Sequence, residues 1–340
     1  MLKGEEIGNV ETVFYETKAQ PSGMKGKESC SEVIAGNKVT GFRDSPLKPL
    51  SIQVQTRRFR PFFFRPVLSF GQKGTSVGML NLPCCVAVND RDEIAVSDFW
   101  NHCISVYSID GTHIRTIGRM GRKNGELIYP IGVAFDSLGN IVVVDSDNHR
   151  VQVFDESGNF LSTFGEQGSL DHQLNCPAGL SITGNGDFIV ADTENQLIKI
   201  FSSSGEYLSK FGGAGSLVAP YHCIQHGQYL IVSDWSDHSI KMFDLEGTLI
   251  SKFGKKGDKD GEFIEPRHLS VNKEGFLMVC DGWNNRVQLF ELNGEFVTKF
   301  GSKGSEIGEF RYPHSTANLS DGRIVVCDEQ NSRIQIFDQI

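Results

Sequence analysis

A phrase of four short strands, repeated six times at a nearly constant period, predicts an all-β chain folded as a six-bladed β-propeller. Residues 130–164 state the phrase most plainly. A proline opens a short apolar strand, a Gly turn follows, and a valine-rich strand ends in Asp. Then come "SDNHR", a strand ending in Phe, a second Gly turn, and a strand ending in Phe-Gly. Two markers fix the period. Asp98, Asp145, Asp192, Asp234, Asp281 and Asp328 close the second strands at intervals of 47, 47, 42, 47 and 47. Tyr107, Phe154, Phe201, Phe243, Phe290 and Phe337 close the third strands with the same five intervals.

Within a unit each element has a local cause. In the second unit the strands are predicted at 131–136, 141–145, 151–155 and 160–164. "DSLGN" and "DESGN" supply hairpin turns, with Gly at the positive-φ position and Asp capping the turn. The strands alternate poorly because propeller sheets pack face to face and are buried on both sides. Fourth strands end at Phe70, Ile117, Phe164, Phe211, Phe253 and Phe300. The last unit stops at Ile340 after its third strand, and an orphan fourth strand stands at 67–70. That strand is predicted to complete the last blade, joining the ring and removing an open edge.

Residues 67–340 therefore form the propeller. Residues 57–66 ("RRFRPFFFRP") read as a basic, aromatic linker packing phenylalanines on it. Residues 1–56 are polar, with one alternating segment at 45–55, and read as a partial domain or a disordered tail.

The net charge is −9. Residues 1–65 hold 11 Lys/Arg and 7 Asp/Glu, a balance of +4; the rest hold 22 and 35, a balance of −13. An acidic disc is a poor non-specific nucleic-acid binder, since that affinity comes from neutralising phosphates, and DNA is not expected as a partner. No stretch reaches membrane-span length and no apolar signal core opens the chain. Eight cysteines occur without a C-x-x-C pair. Cys280 and Cys327 take the place of Ser, Val or Ala in other units and read as small core residues. A reducing, cytoplasmic setting follows.

A repeat supplies its own control: what every blade carries is scaffold, and function needs asymmetry. The six aspartates are expected to accept hydrogen bonds from the turn that follows, at Asn101, Asn148, Asn195, Asp237, Asn284 and Asn331. Arg150, Arg286 and Arg333 share one offset and suggest ion pairing between blades. One rim gathers the fourth-to-first connections and the second-to-third loops. Its candidate partner-binding residues are Trp100, Tyr129, Tyr221, His222, Trp235, Arg267, His268, Trp283, Tyr312 and His314, residue types favoured in recognition surfaces. Phe-Gly to Pro is 13 residues in five units and 9 from Phe211 to Pro220. The short connection predicts a notch exposing Tyr221, His222 and Trp235.

"VVDSDNHRVQVFDESGNFLSTFG" and "GEFIEPRHLSVNKEGFLMVCDGWNNRVQLFELNGEFVTKFG" resemble NHL repeats over 67–340. "RPVLSFGQKG", after a strand with "SP…IQV", is similar to tripartite-motif (TRIM) proteins with a filamin-type immunoglobulin domain before the propeller. The resemblance implies that 1–56 is the tail of that domain. The family's ubiquitin-ligase activity resides in a RING, and this chain has no such cysteine pattern, so no catalytic residue is assigned. It also implies a monomeric propeller that recruits a protein partner or substrate. The alternative is sequence-specific RNA binding, as in some TRIM-NHL proteins, with Arg267, His268, Arg311 and Lys255-Lys256 as a basic sector. A remote alternative is an enzyme like the peptide-amidating lyase, with metal held by His222, His268 and His314. Otherwise no cofactor or metal is expected.

Overall fold

A computed structural model describes residues 62–213 and 215–340; residues 1–56 and the first half of the linker, 57–61, lie outside them. Six four-stranded antiparallel sheets follow one another along the chain. Blades 1 to 6 begin at the prolines 83, 130, 177, 220, 266 and 313, each opening the innermost strand. Observed strands of the second blade are Pro130–Phe135, Ile141–Asp145, Arg150–Phe154 and Phe160–Phe164, within a residue of expectation.

The ring is closed as the sequence predicts. Phe64–Phe70 pairs with Arg333–Gln339, the last strand, and supplies the outer strand of blade 6. It starts at Phe64, not Val67, so part of the expected linker is blade. Phe64 stacks on Phe300 at 4.2 Å between centroids, and Phe62 meets Phe276 edge-on at 5.1 Å. A register shift between Pro66 and Leu68 turns Val67 out to solvent. Further bonds join the two ends of the chain: Val86 N–H donates to Ser315 Oγ at 2.8 Å, and Ser320 N–H donates to Asp92 Oδ1 at 2.7 Å.

The core is six apolar layers, each between neighbouring blades. Leu80, Val86, Ile94, Val96 and Tyr107 of blade 1 meet Leu319, Val325, Cys327, Ile334 and Ile336 of blade 6, for instance. Cys280 and Cys327 are completely buried, in keeping with a packing role. Five fourth-to-first connections fold into the same small loop, pinned by a bridge such as Met120 to Leu127. No described helix is long and apolar enough to cross a membrane.

Under the top face, the side of those connections, runs a ring of buried aspartates. Asp145 accepts from Ile128 N–H at 2.7 Å and from Asn148 Nδ2 at 2.8 Å; Asn148 also donates to Gly121 O. Asn101, Asn195, Asn284 and Asn331 repeat this contact. Asp237 does not. It pairs with Lys241 and Lys252, which hold its carboxyl down at about 2.

A buried carboxylate is costly without a partner. Arg150, Arg286 and Arg333 give one to the aspartate five residues before them in the same blade, at 2.8, 2.8 and 2.7 Å, and bind carbonyls of the incoming connection. The expected pairing between blades is thus corrected to pairing within one blade. Blades 3 and 4 use Lys199 and Lys241, seven residues on, at 2.9 and 2.7 Å. Blade 1 has Cys103 and Ser105 at these places, and Asp98 has no ion-pair partner among the described residues.

Candidate functional site at the axial mouth

Each innermost strand starts with a bulge, the register shifting just after its proline. A bulge re-aims side chains. The residue before the proline is left-handed in five blades: Leu82, Tyr129, Cys176, Glu265 and Tyr312 have φ between 46 and 60°. Such a conformation costs a non-Gly residue about 1–3 kcal/mol and persists only where surroundings impose it. Here the preceding blade does so. Tyr129, Cys176 and Glu265 donate their N–H to Nδ1 of His102, His149 and His238, and Tyr312 donates to Asn285 Oδ1. Three histidines of the chain are thereby structural.

The bulges of blades 4, 5 and 6 deliver Tyr221, Arg267-His268 and His314. Arg267 is the hub. Its guanidinium lies 4.6, 4.8 and 5.4 Å from the ring centres of Tyr221, Trp235 and Tyr312. Its Nε donates to Tyr312 Oη at 2.7 Å and its Nη2 to Glu265 Oε2 at 3.1 Å. Glu265 Oε2 also accepts from Trp283 Nε1 at 2.7 Å and from Tyr312 Oη at 3.2 Å. One carboxylate therefore ties three aromatic or cationic groups from blades 5 and 6.

Beside the hub, Tyr221 Oη and His314 Nε2 are 2.8 Å apart, and His314 Nε2 is 3.7 Å from Glu329 Oε2. Burial drives the His314 imidazole down to about 3, so it is neutral. Burial pushes the Glu329 carboxyl up to about 7 against the opposing pull of Arg267. Cys84 adjoins both from blade 1, its thiol pushed well up by burial and by Glu329.

Below the mouth, His268 stacks on His222 at 4.0 Å. Both His222 nitrogens are engaged, Nε2 with Leu180 O at 3.1 Å and Nδ1 with Leu269 N–H at 3.3 Å. Burial holds His222 down at about 4 and His268 well below the usual imidazole value. Gly179 permits this packing, because a Cβ there would stand 2.4 Å from Tyr221 O and 2.6 Å from the His222 ring.

Several expectations are corrected. No notch opens at blade 4: Tyr221 is 6% and His222 2% exposed, because Arg267 of the next blade fills the space over Tyr221 and Trp235. Trp235 even buries its Nε1 without a partner. Nor do His222, His268 and His314 share one position. His314 follows its proline by one residue and the others by two, and the one group of three close ligating side chains among the described residues is Cys84, His314 and Glu329. Of the candidate basic sector, Arg267 is engaged with Glu265 and Tyr312, burial holds His268 uncharged at neutral pH, and Lys255 pairs with Glu262 at 3.3 Å.

What remains at the rim is a pair of equivalent aromatic edges. Trp100 packs edge-on against Tyr129 at 5.4 Å and Trp283 against Tyr312 at 5.3 Å. The two tryptophans are 38% and 40% exposed, one blade to either side of blade 6. Phe99 stacks on Tyr129 at 4.7 Å and broadens the first edge.

Sequence reasoning missed Glu265, Glu329 and Cys84 as site residues. A signal for two of them existed. Immediately before the strand-opening proline and immediately after the repeat aspartate, the charged members are Glu265 and Glu329.

The NHL repeat model matches residues 80–107, 127–154, 174–201 and 310–337, the units of blades 1, 2, 3 and 6. Blades 4 and 5, which carry Tyr221, Trp235, Glu265 and Arg267, fall outside the matched segments. No curated protein matches the chain in sequence. Among solved structures, a protein of unknown function from Bacteroides thetaiotaomicron aligns at 15% identity over 82% of this chain and 77% of its own, with a TM-score of 0.66. A gluconolactonase from Xanthomonas campestris aligns at 13% over 84% and 99%, TM-score 0.60. The virginiamycin B lyase of Staphylococcus aureus aligns at 13% over 82% and 100%, TM-score 0.58. At these identities the likeness is one of fold.

Proposed function

From the premise of a six-bladed propeller that carries NHL repeats, we propose that the chain is a recognition disc for a protein partner, bound on the top face across blades 5, 6 and 1. The observation that carries this reading is the asymmetry of the rim. The repeated residues spend their polar groups on the scaffold. Trp100 and Trp283 keep about two-fifths of their surface exposed, on backbone fixed by buried hydrogen bonds. Rigid aromatic edges flanking a polar floor are what binding hot spots use.

The Arg267–Glu265–Tyr312 tie holds the mouth without requiring a ligand, so affinity resides at the rim and the hub sets its shape. In keeping with the resemblance to filamin-class TRIM proteins, the disc recruits a substrate to a ubiquitin ligase whose RING lies outside this sequence. Protein is favoured over RNA because residues 66–340 hold 22 Lys/Arg against 35 Asp/Glu, a balance that opposes phosphate binding.

Selection of a displayed random-peptide library on the purified chain tests the reading. Selected peptides should lose at least about tenfold in affinity on Trp100→Ala and Trp283→Ala, a loss near 1.4 kcal/mol. They should be indifferent to Leu138→Ala on the opposite face. Peptides indifferent to both tryptophans would refute the assignment, as would tight binding to a random RNA pool in place of peptides.

A further inference from the structure

We propose that Cys84, His314 and Glu329 form a binding site for a zinc-type divalent metal ion at the axial mouth. The Cys84 thiol, the His314 imidazole and the Glu329 carboxylate come from blades 1 and 6, and their ligating atoms lie within 4.8 Å of one another. They meet across the seam where the ring closes, so the site exists only in the closed propeller.

Two observations beyond proximity point to a cation. They concern the side chains around His314, which is 4% exposed and turns its Nε2 toward Glu329 Oε2 at 3.7 Å. The Glu329 carboxylate, 16% exposed, receives no hydrogen bond from the described residues. The Cys84 thiol makes one weak contact, to Leu82 O at 3.6 Å. Buried polar groups of this kind are normally satisfied, and here a carboxylate with no hydrogen bond and a weakly bonded thiol meet beside an imidazole.

The donor set selects the metal. Thiolate and imidazole suit zinc and its transition-metal neighbours; magnesium and calcium prefer all-oxygen sites. Three protein ligands leave a coordination position free, as in zinc sites that accept a further ligand. Binding exchanges the thiol proton for the metal, and the proton leaves to solvent. Thiolate and carboxylate together then balance the doubly charged ion, and Arg267 remains paired with Glu265. The site is independent of the partner-binding reading, since neither Trp100 nor Trp283 belongs to it.

Cobalt(II) titration of the chelator-treated full chain is the test, followed by zinc competition. One equivalent should bind and give a thiolate-to-cobalt charge-transfer band that zinc abolishes. The band should vanish in Cys84→Ser and persist in Cys103→Ser, a buried cysteine elsewhere. Glu329→Gln, at a partly exposed position compatible with folding, should weaken cobalt affinity by at least about tenfold. If Cys84→Ser fails to fold, the Glu329→Gln affinity decides. Absence of the band in the parent, its survival in folded Cys84→Ser, or unchanged affinity in Glu329→Gln would overturn the proposal.

Discussion

Asp98 is the aspartate that blade 1 leaves without a cation, and supplying one should stabilise the propeller at neutral pH. Burial pushes its carboxyl from 3.8 up to about 6, against hydrogen bonds from Asn81 N–H and Asn101. A rise of that size corresponds to about 3 kcal/mol. The sign follows from proton binding. Between 3.8 and about 6 the folded chain holds the Asp98 proton and the unfolded chain has released it. Stability from this group is therefore present below 3.8, declines as pH rises through the window, and is gone above about 6.

The strand Arg150–Phe154 (RVQVF) shows the remedy, and Cys103–Tyr107 (CISVY) is its counterpart. Cys103→Arg, Ser105→Gln and Tyr107→Phe together place a guanidinium beside Asp98 and an amide beneath it, and remove the hydroxyl that bonds Gly78 O. Allowing for imperfect fit, the gain should be about 1–3 kcal/mol near pH 7.5, or roughly 2–5 °C in Tm. Near pH 4.5 most of the gain should disappear, because the parent Asp98 is then protonated. Paired thermal melts of parent and triple variant at the two pH values provide the assay. No gain at neutral pH, or the same gain at both, would refute the reasoning.

Other consequences are simpler to state. Lys199, completely buried against Asp192 at 2.9 Å, should cost about 3–5 kcal/mol when changed to Met, because a buried charge loses its partner; chemical denaturation measures this, and a cost under about 1 kcal/mol would contradict it. Gly179→Ala should lower stability by about 1–3 kcal/mol through overpacking against Tyr221 and His222, and an unchanged Tm would show that the axis is looser than described. Phe64→Ala removes the ring stacked on Phe300 from the closing strand and should cost about 3–5 kcal/mol. Phe63→Ala next to it, with its ring in solvent, is the neutral control; equal effects of the two would deny the closing strand its role.

The fold was legible because a propeller repeats its reasons. Six aspartates and six third-strand aromatics at one period state blade number and strand order, and the missing fourth strand of the last unit states how the ring shuts. Strand ends slipped by a residue because Pro130 and Arg150 lie in the ladder, where pattern alone places them in the turn. The site was legible in composition and not in geometry. Tyr221, Arg267, Tyr312 and His314 were singled out, but a repeat register cannot say that Arg267 reaches back over Tyr221 and Trp235. A shortened connection suggested an opening, and a side chain from the next blade filled it. Cys84 was hidden because small cysteines in this chain are mostly core, and only the seam between blades 1 and 6 brings it to His314 and Glu329.

Site-specific photo-crosslinking tests the central claim most directly. A photoreactive residue at Gln330, exposed on the top of blade 6 between Trp100 and Trp283, is compared in living cells with the same group at Leu138 on the opposite face. Recognition by the rim predicts a discrete protein adduct from position 330, lost when Trp100 and Trp283 are both changed to Ala, and none from 138. An adduct from 138 alone, or one from 330 that survives loss of both tryptophans, would contradict it.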